Sequence, residues 1–162
     1  MSIRGFCPFV NGDSKILILG SFPSVKSREE NFYYGNRQNR FWSTLAQIFG
    51  EKLPTTVEEK KSMLLKHNVA LWDVVVECEI EGSLDANIKN AVVCDMTQIF
   101  KTADIKRIFL NGGAAKKYFK KAYPNLMAIT DCLPSTSPAN AKFDFKIWKK
   151  TLTSALAERG KQ

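Results

Sequence analysis

Four short apolar runs constrain this chain more than any other feature. They are Lys15 to Leu19 (KILIL), Val69 to Val76 (VALWDVVV), Arg107 to Leu110 (RIFL) and Leu126 to Thr130 (LMAIT). Each is nearly continuous in apolar character rather than alternating, the pattern of strands covered on both faces. Helical periodicity separates them. Phe41, Trp42, Leu45, Ile48 and Phe49 recur at three-and-four spacing within a helix from about Asn39 to Phe49, and Gly50 is placed to end it. Pro54-Thr55-Thr56 opens a second helix, to about His67, with Glu58 and Glu59 in its first turn. Asn111-Gly112-Gly113 turns the third run into a helix from Ala114 to about Ala122. A last helix runs from about Phe143 to Ala157, with Phe145, Trp148, Leu152 and Leu156 on its buried side. Two short helices are expected, from Asp85 through Ile88 and from Asp95 or Thr97 through Lys101. Phe6, Phe9 and Val10 read as an N-terminal flap.

Strands alternating with helices predict right-handed crossovers and an α/β fold, with a parallel sheet covered on both faces. Ligands of such sheets sit beyond the carboxyl ends of the strands. Gly20, Glu77, Asn111 and Asp131 or Cys132 are the expected ends. Two unusual segments leave from that edge. Gly20 to Trp42 (GSFPSVKSREENFYYGNRQNRFW) reads as a long loop rich in aromatics and amides, which a core does not need and a binding site does. Cys132 to Asn140 (CLPSTSPAN) is the second polar loop.

At 162 residues the simplest organisation is one domain, 1–162. The net charge of +8 fits a polyanionic partner, nucleic acid before an anionic membrane surface, and fits a merely basic soluble enzyme equally well. No apolar run is long enough to span a bilayer and no signal-peptide pattern opens the chain, so a cytoplasmic protein is expected. Cys7, Cys78, Cys94 and Cys132 are scattered without a C-x-x-C, which argues against zinc and for reduced, mostly buried thiols.

GSFPS at 20–24, YYGNRQNRFW at 33–42, LWDVVVECEIEGSLDANI at 71–88 and LPSTSPAN at 133–140 together resemble the uracil-DNA glycosylase superfamily. The branch they most resemble is that of the hypoxanthine-DNA (deoxyinosine) glycosylases, followed by the mismatch-specific uracil/thymine enzymes. The resemblance spans most of the chain, with its motifs in order. It implies a three-layer αβα sandwich around a central four-stranded parallel sheet, uracil-DNA glycosylase-like. It implies a hydrolase of N-glycosyl bonds acting on DNA with a damaged or deaminated base, without a cofactor or metal. The Cys78–Cys94 spacing is similar to that of two iron–sulfur ligands in some relatives, but those also use an N-terminal Cys pair where this chain has only Cys7, so no cluster is expected. A monomer is the simple expectation.

The resemblance also implies roles. Tyr34 stands where relatives place an aromatic that stacks on the flipped base, with Phe32 and Tyr33 as alternatives. Asn39 is the first choice for chemistry, its amide positioning a water; the alternative is an Asn that merely caps the following helix. Ser21 and Phe22 belong to the base pocket, but Phe22 occupies the position where many relatives carry a water-activating Asp, Asn or Glu. Either Asn39 substitutes, or the reaction leans on protonation of a purine leaving group. Asp73 matches a base-reading position, and burial there should raise its pKa; a structural, loop-capping Asp is the alternative. Leu133 stands where relatives place a His or Asn. Ser135 and Ser137 are assigned to phosphates and Lys142 to the same backbone; Pro138, Ala139 and Asn140 are assigned to the wedge that fills the vacated stack. His67 reads as a helix C-terminal residue. The rival readings are a uracil or G:T/U mismatch glycosylase, and a non-catalytic DNA-binding domain on the same scaffold. A flavodoxin-type ligand domain lacks its glycine-rich phosphate loop.

Overall fold

A computed structural model describes residues 1–159. The first three apolar runs and the segment that follows the fourth supply one parallel sheet. Strands β2 (Ile16–Gly20), β3 (Val69–Asp73), β6 (Arg107–Asn111) and β7 (Thr130–Leu133) lie in the order β3-β2-β6-β7. All pairings are parallel, with Gly20 opposite Asp73, and Asn111 opposite Leu133. β2 and β3 are buried throughout, as their unbroken apolar character predicts. Helices α2 (Phe41–Phe49), α3 (Val57–Lys66), α5 (Gly113–Ala122) and α6 (Phe145–Arg159) pack around the sheet, with Trp148, Phe41, Phe109 and Phe119 among the fully buried side chains. Two six-residue helices, α1 (Val25–Glu30) and α4 (Thr97–Thr102), complete the set.

Three expectations change. The run from Val69 to Val76 is not one strand. It breaks at Val74, and β4 (Val75–Glu79) leaves for a second sheet, antiparallel, with β1 (Ile3–Arg4) and β5 (Lys89–Val93). The break is fixed by backbone bonds: Val74 N–H donates to the Gly20 carbonyl and Val75 N–H to the Ser21 carbonyl. Glu77 therefore lies in the small sheet, and Asp73 ends the parallel strand. The fourth strand begins at Thr130, where it was expected to end, because Pro124 starts a 3₁₀ segment that runs to Ile129. The long first loop contains α1, whose N-cap Ser24 accepts from Ser27 N–H.

Leu133, at the end of β7, is 3% exposed and belongs to the core, not to a catalytic edge. Of the cysteines, Cys78 and Cys94 are buried but Cys7 and Cys132 are exposed, so only half serve as small apolar fillers. His67 caps the C-terminus of α3, stacks on Phe49 and faces Glu51.

Candidate active site

The carboxyl ends of β2, β3 and β6 open into a cavity of about 100 Å³. Sites for drug-sized ligands run roughly 300–1,000 Å³. The scale suits a single heterocycle, not a dinucleotide. Its walls come from Gly20–Ser24, Tyr33, Tyr34 and Asn39, from Asp73, from Ser83 and Asp85, and from Asn111 and Ser135–Ser137.

Gly20 sets the floor. A methyl group there would lie 2.6 Å from Asp73 Oδ1 and 2.9 Å from the Tyr34 hydroxyl, so both oxygens converge on a position that only glycine leaves open. Asp73 is 5% exposed and its Oδ2 has no hydrogen-bond partner. Burial, helped by the charge of Asp85, pushes its carboxyl up to about 7. The expected rise is present, and no cation is paired with it among the described residues.

Tyr34 is held in a left-handed conformation (φ 53°), rare for a bulky residue. Trp42 Nε1 donates to the carbonyls of Tyr33 and Tyr34, and Gly35 N–H donates to Ser27 Oγ, which together pin that turn. One face of the Tyr34 ring stacks on Phe41, the ring centroids 3.9 Å apart, and Tyr34 lines the cavity. Its hydroxyl accepts from Asn111 Nδ2. Burial pushes both the Tyr33 and Tyr34 phenols far up. The two alternatives for the platform fare differently. Phe32 is a core residue between Phe9 and Trp42, and Tyr33 lines the cavity but donates its hydroxyl to the Cys7 carbonyl.

Asn39 lies on the cavity wall just before α2, and its Oδ1 accepts from Phe41 N–H at 2.9 Å. It therefore serves the helix start, one of the two roles expected of it. The bond uses one carbonyl lone pair and leaves the second and the NH₂ group free. Phe22 lines the cavity and also packs on the small core of Val75, Cys78 and Ile88, with the Arg28 guanidinium 5.8 Å over its ring.

Ser135 and Ser137 belong to a loop braced from inside. Ser135 Oγ accepts from Ser137 N–H, and Ser137 Oγ from Ala139 N–H. Asn140 is tied into the same loop through Ser135 O and Lys142 N–H. Pro138, Asn140 and Lys142 do not line the cavity, and Pro138 and Lys142 are exposed beside it. Asn111 binds the loop to the sheet, donating to Thr136 Oγ1 and accepting from Thr136 N–H. Arg40 binds it to α2, donating to the carbonyls of Ser137 and Asn140.

Sequence reasoning missed two members of this site. Asn111 was seen only as a strand end. Asp85 was read as opening a short helix within the 71–88 motif, without a site role, although the Ser21 hydroxyl donates to it. A carboxylate beside small residues in the loop after a strand is a weak signal by itself. Among the described residues no group of three or more His, Cys, Asp or Glu side chains is arranged to hold a metal ion.

The profile of the Uracil DNA glycosylase superfamily matches residues 7–156. The chain belongs to that superfamily. It is 35% identical over 141 residues to the hypoxanthine DNA glycosylase of Methanosarcina acetivorans, spanning 86% of this chain and 89% of that one. It is 33% identical over 147 residues to the protein of the same description from Methanosarcina barkeri, spanning 88% and 90%. The solution NMR structure of a Methanosarcina acetivorans protein described as a candidate uracil DNA glycosylase superposes with a TM-score of 0.82. The two are 30% identical, and the match covers 97% of this chain and 99% of the other. The superfamily's α/β fold and four-stranded parallel sheet are those of this chain. No helix among the described residues is long and apolar enough to cross a membrane.

Proposed function

We infer that this chain is a monofunctional DNA glycosylase that hydrolyses the N-glycosidic bond of a deaminated base, hypoxanthine first. The observation that carries this reading is Asp73: a buried carboxyl with an unpartnered oxygen, on the wall of a cavity suited to one heterocycle. Hypoxanthine presents an N1–H donor next to a C6 carbonyl acceptor. An ionised Asp73 accepts from N1–H but meets the N1 lone pair of adenine with repulsion. A protonated Asp73 also donates, either to the carbonyl or to the ring of the departing purine. With a pKa near 7 both forms are populated at neutral pH. The names of the relatives support the same base.

The flipped base stacks on the face of Tyr34 opposite Phe41, and Ser21 and Phe22 close the pocket beside it. Asn39 holds the attacking water through its free lone pair and NH₂ group. Ser135 and Ser137 retain their hydroxyl protons and donate them to the phosphates flanking the flipped nucleotide, with Lys142 beyond. Pro138, Ala139 and Asn140 of the same loop lie beside the vacated stack, and none of them is a large apolar side chain. Among the described residues no lysine lines the cavity, so Schiff-base strand cleavage is not expected. The enzyme acts as a monomer without a cofactor.

Duplexes carrying hypoxanthine, xanthine, uracil or thymine opposite each normal base test the reading. Hypoxanthine should be released fastest. Equal or faster release of uracil would move the assignment to the uracil and mismatch enzymes. Binding of lesion DNA without release of any base would make the chain a binding module.

A further inference from the structure

Hydrolysis at C1′ of the sugar creates two demands. The departing base takes up negative charge, and the attacking water must lose a proton beside a carbon with oxocarbenium character. Among the described residues, four that line the cavity have side chains that titrate: Tyr33, Tyr34, Asp73 and Asp85. Both phenols are held far above the neutral range by burial, and the Tyr33 hydroxyl is committed to the Cys7 carbonyl. Asp73 is buried on the floor with its proton retained to about pH 7, which equips it to give a proton rather than take one. Asn39 can orient a water but cannot accept its proton at neutral pH. One group is left.

We propose that Asp85 is a catalytic residue that accepts the proton of the attacking water and faces the cationic sugar. Three observations besides elimination place it for this. It is exposed at the cavity wall, so a nucleotide sugar can reach it where it cannot reach Asp73. The Ser21 hydroxyl donates to it, which fixes the carboxylate against the first motif, beside the Phe22 position that carries no polar group. Its loop is rigidly tied. Arg28 donates to the Gly82 carbonyl, Ser83 Oγ accepts from Val25 N–H, Asn87 Nδ2 donates to the Glu81 carbonyl, and Ile88 anchors the far side in the small core. The titratable groups that feel Asp85 are Asp73 from β3 and Tyr34 from the loop before α2, each pushed up by its charge. Arg28 of α1 is the cation that reaches the same loop.

The step balances. The C1′–N bond breaks with its electron pair going to the base, whose ring takes the Asp73 proton. The water oxygen bonds to C1′ and its proton passes to Asp85. Exchange with solvent then restores both carboxyls. Two carboxyls set apart by environment, one buried as acid and one exposed as base, divide the work.

This inference rests on the glycosylase reading, so the assay is run under single turnover on whichever panel base the wild-type protein releases fastest. Asp85→Asn keeps an acceptor for the Ser21 hydroxyl. It should lower release at least about 100-fold while changing the Kd for lesion duplex less than about threefold. Asp85→Glu should recover part of the loss. Ser21→Ala should cost only a few-fold, because it removes the tether and not the base. The wild-type rate should fall as pH drops through the titration of an acidic group, and that limb should vanish in Asp85→Asn. Release by Asp85→Asn within threefold of wild type overturns the proposal. So does an unchanged low-pH limb in Asp85→Asn. A wild-type protein that releases uracil but not hypoxanthine overturns only the choice of base. One that releases nothing overturns both readings.

Discussion

Gly20 and Asp73 face each other across β2 and β3, and each carries a prediction. Gly20→Ala puts a methyl 2.6 Å from a carboxyl oxygen on the cavity floor. Asp73 and Tyr34 must shift, and release should fall at least about 100-fold, since an ångström of misplacement alone can cost that much. Circular dichroism should show the fold retained. Asp73 also depresses stability. Its pKa is raised above the unfolded value of 3.8, so between about pH 4 and 7 the folded chain holds a proton that the unfolded chain releases. Its contribution is therefore most favourable below pH 4, declines as pH rises through that window, and is fully unfavourable above pH 7. Three pKa units correspond to about 4 kcal/mol, an upper figure for a buried group. Asp73→Asn should raise the Tm at pH 8, leave it little changed at pH 4, and impair base release. Equal Tm shifts at both values would contradict this sign. Asn39→Ala removes both the Phe41 N–H acceptor and the water-holding amide. A loss of about 1 kcal/mol of stability is the helix-start share; a rate loss of 100-fold or more at unchanged lesion-DNA affinity would be the catalytic share, and full activity would refute it.

At the scale of elements, the legible parts were those with a strong period. β2, β3 and β6 declared themselves because both faces are buried, and α2 because its aromatics recur on one side. β4 and β5 did not. Their burial alternates poorly and charged residues interrupt them, as in half-exposed strands of a small sheet. α1 has only six residues and no apolar face, so composition made it a loop. Asp73 was visible as the lone charge in an apolar run. Asp85 was not, because its significance lies in a contact with Ser21, 64 residues away. The same loop presents Leu84, 60% exposed between cavity-lining Ser83 and Asp85. Neither Pro138 nor Asn140 offers so large an apolar side chain. Leu84→Ala should slow release from duplex about tenfold or more and leave single-stranded substrate within about twofold, the mark of a residue that fills a vacated stack. An equal effect on both substrates would remove Leu84 from that role.

Over the whole molecule, the charge of +8 is concentrated in part on two elements. Lys116, Lys117, Lys120 and Lys121 are exposed on α5, and Lys146, Lys149 and Lys150 on α6, with Lys142 just before it. If half of these reach phosphates, the logarithm of DNA affinity should fall with the logarithm of salt at a slope of roughly −4. A slope near zero would detach the basic surface from DNA binding. Lys142→Ala should reduce the slope by about one.

The cavity walls come from residues 20–39, 73–85, 111 and 135–137, brought together from across the described chain. None of these segments makes a pocket alone. The loop carrying the last of them is seated by Trp148 on α6, whose Nε1 donates to the Pro134 carbonyl, and by Arg40 and Asn111. A ribosome that has exposed only the first hundred or so residues has therefore made a polypeptide with no means of cutting a base from DNA, and one that is not yet basic, since its 11 Lys and Arg are matched by 12 Asp and Glu. Activity arrives late in synthesis, with β7 and α6, and the lysines of α5 and α6 arrive with it, so a chain truncated near residue 100 should neither cut DNA nor hold it.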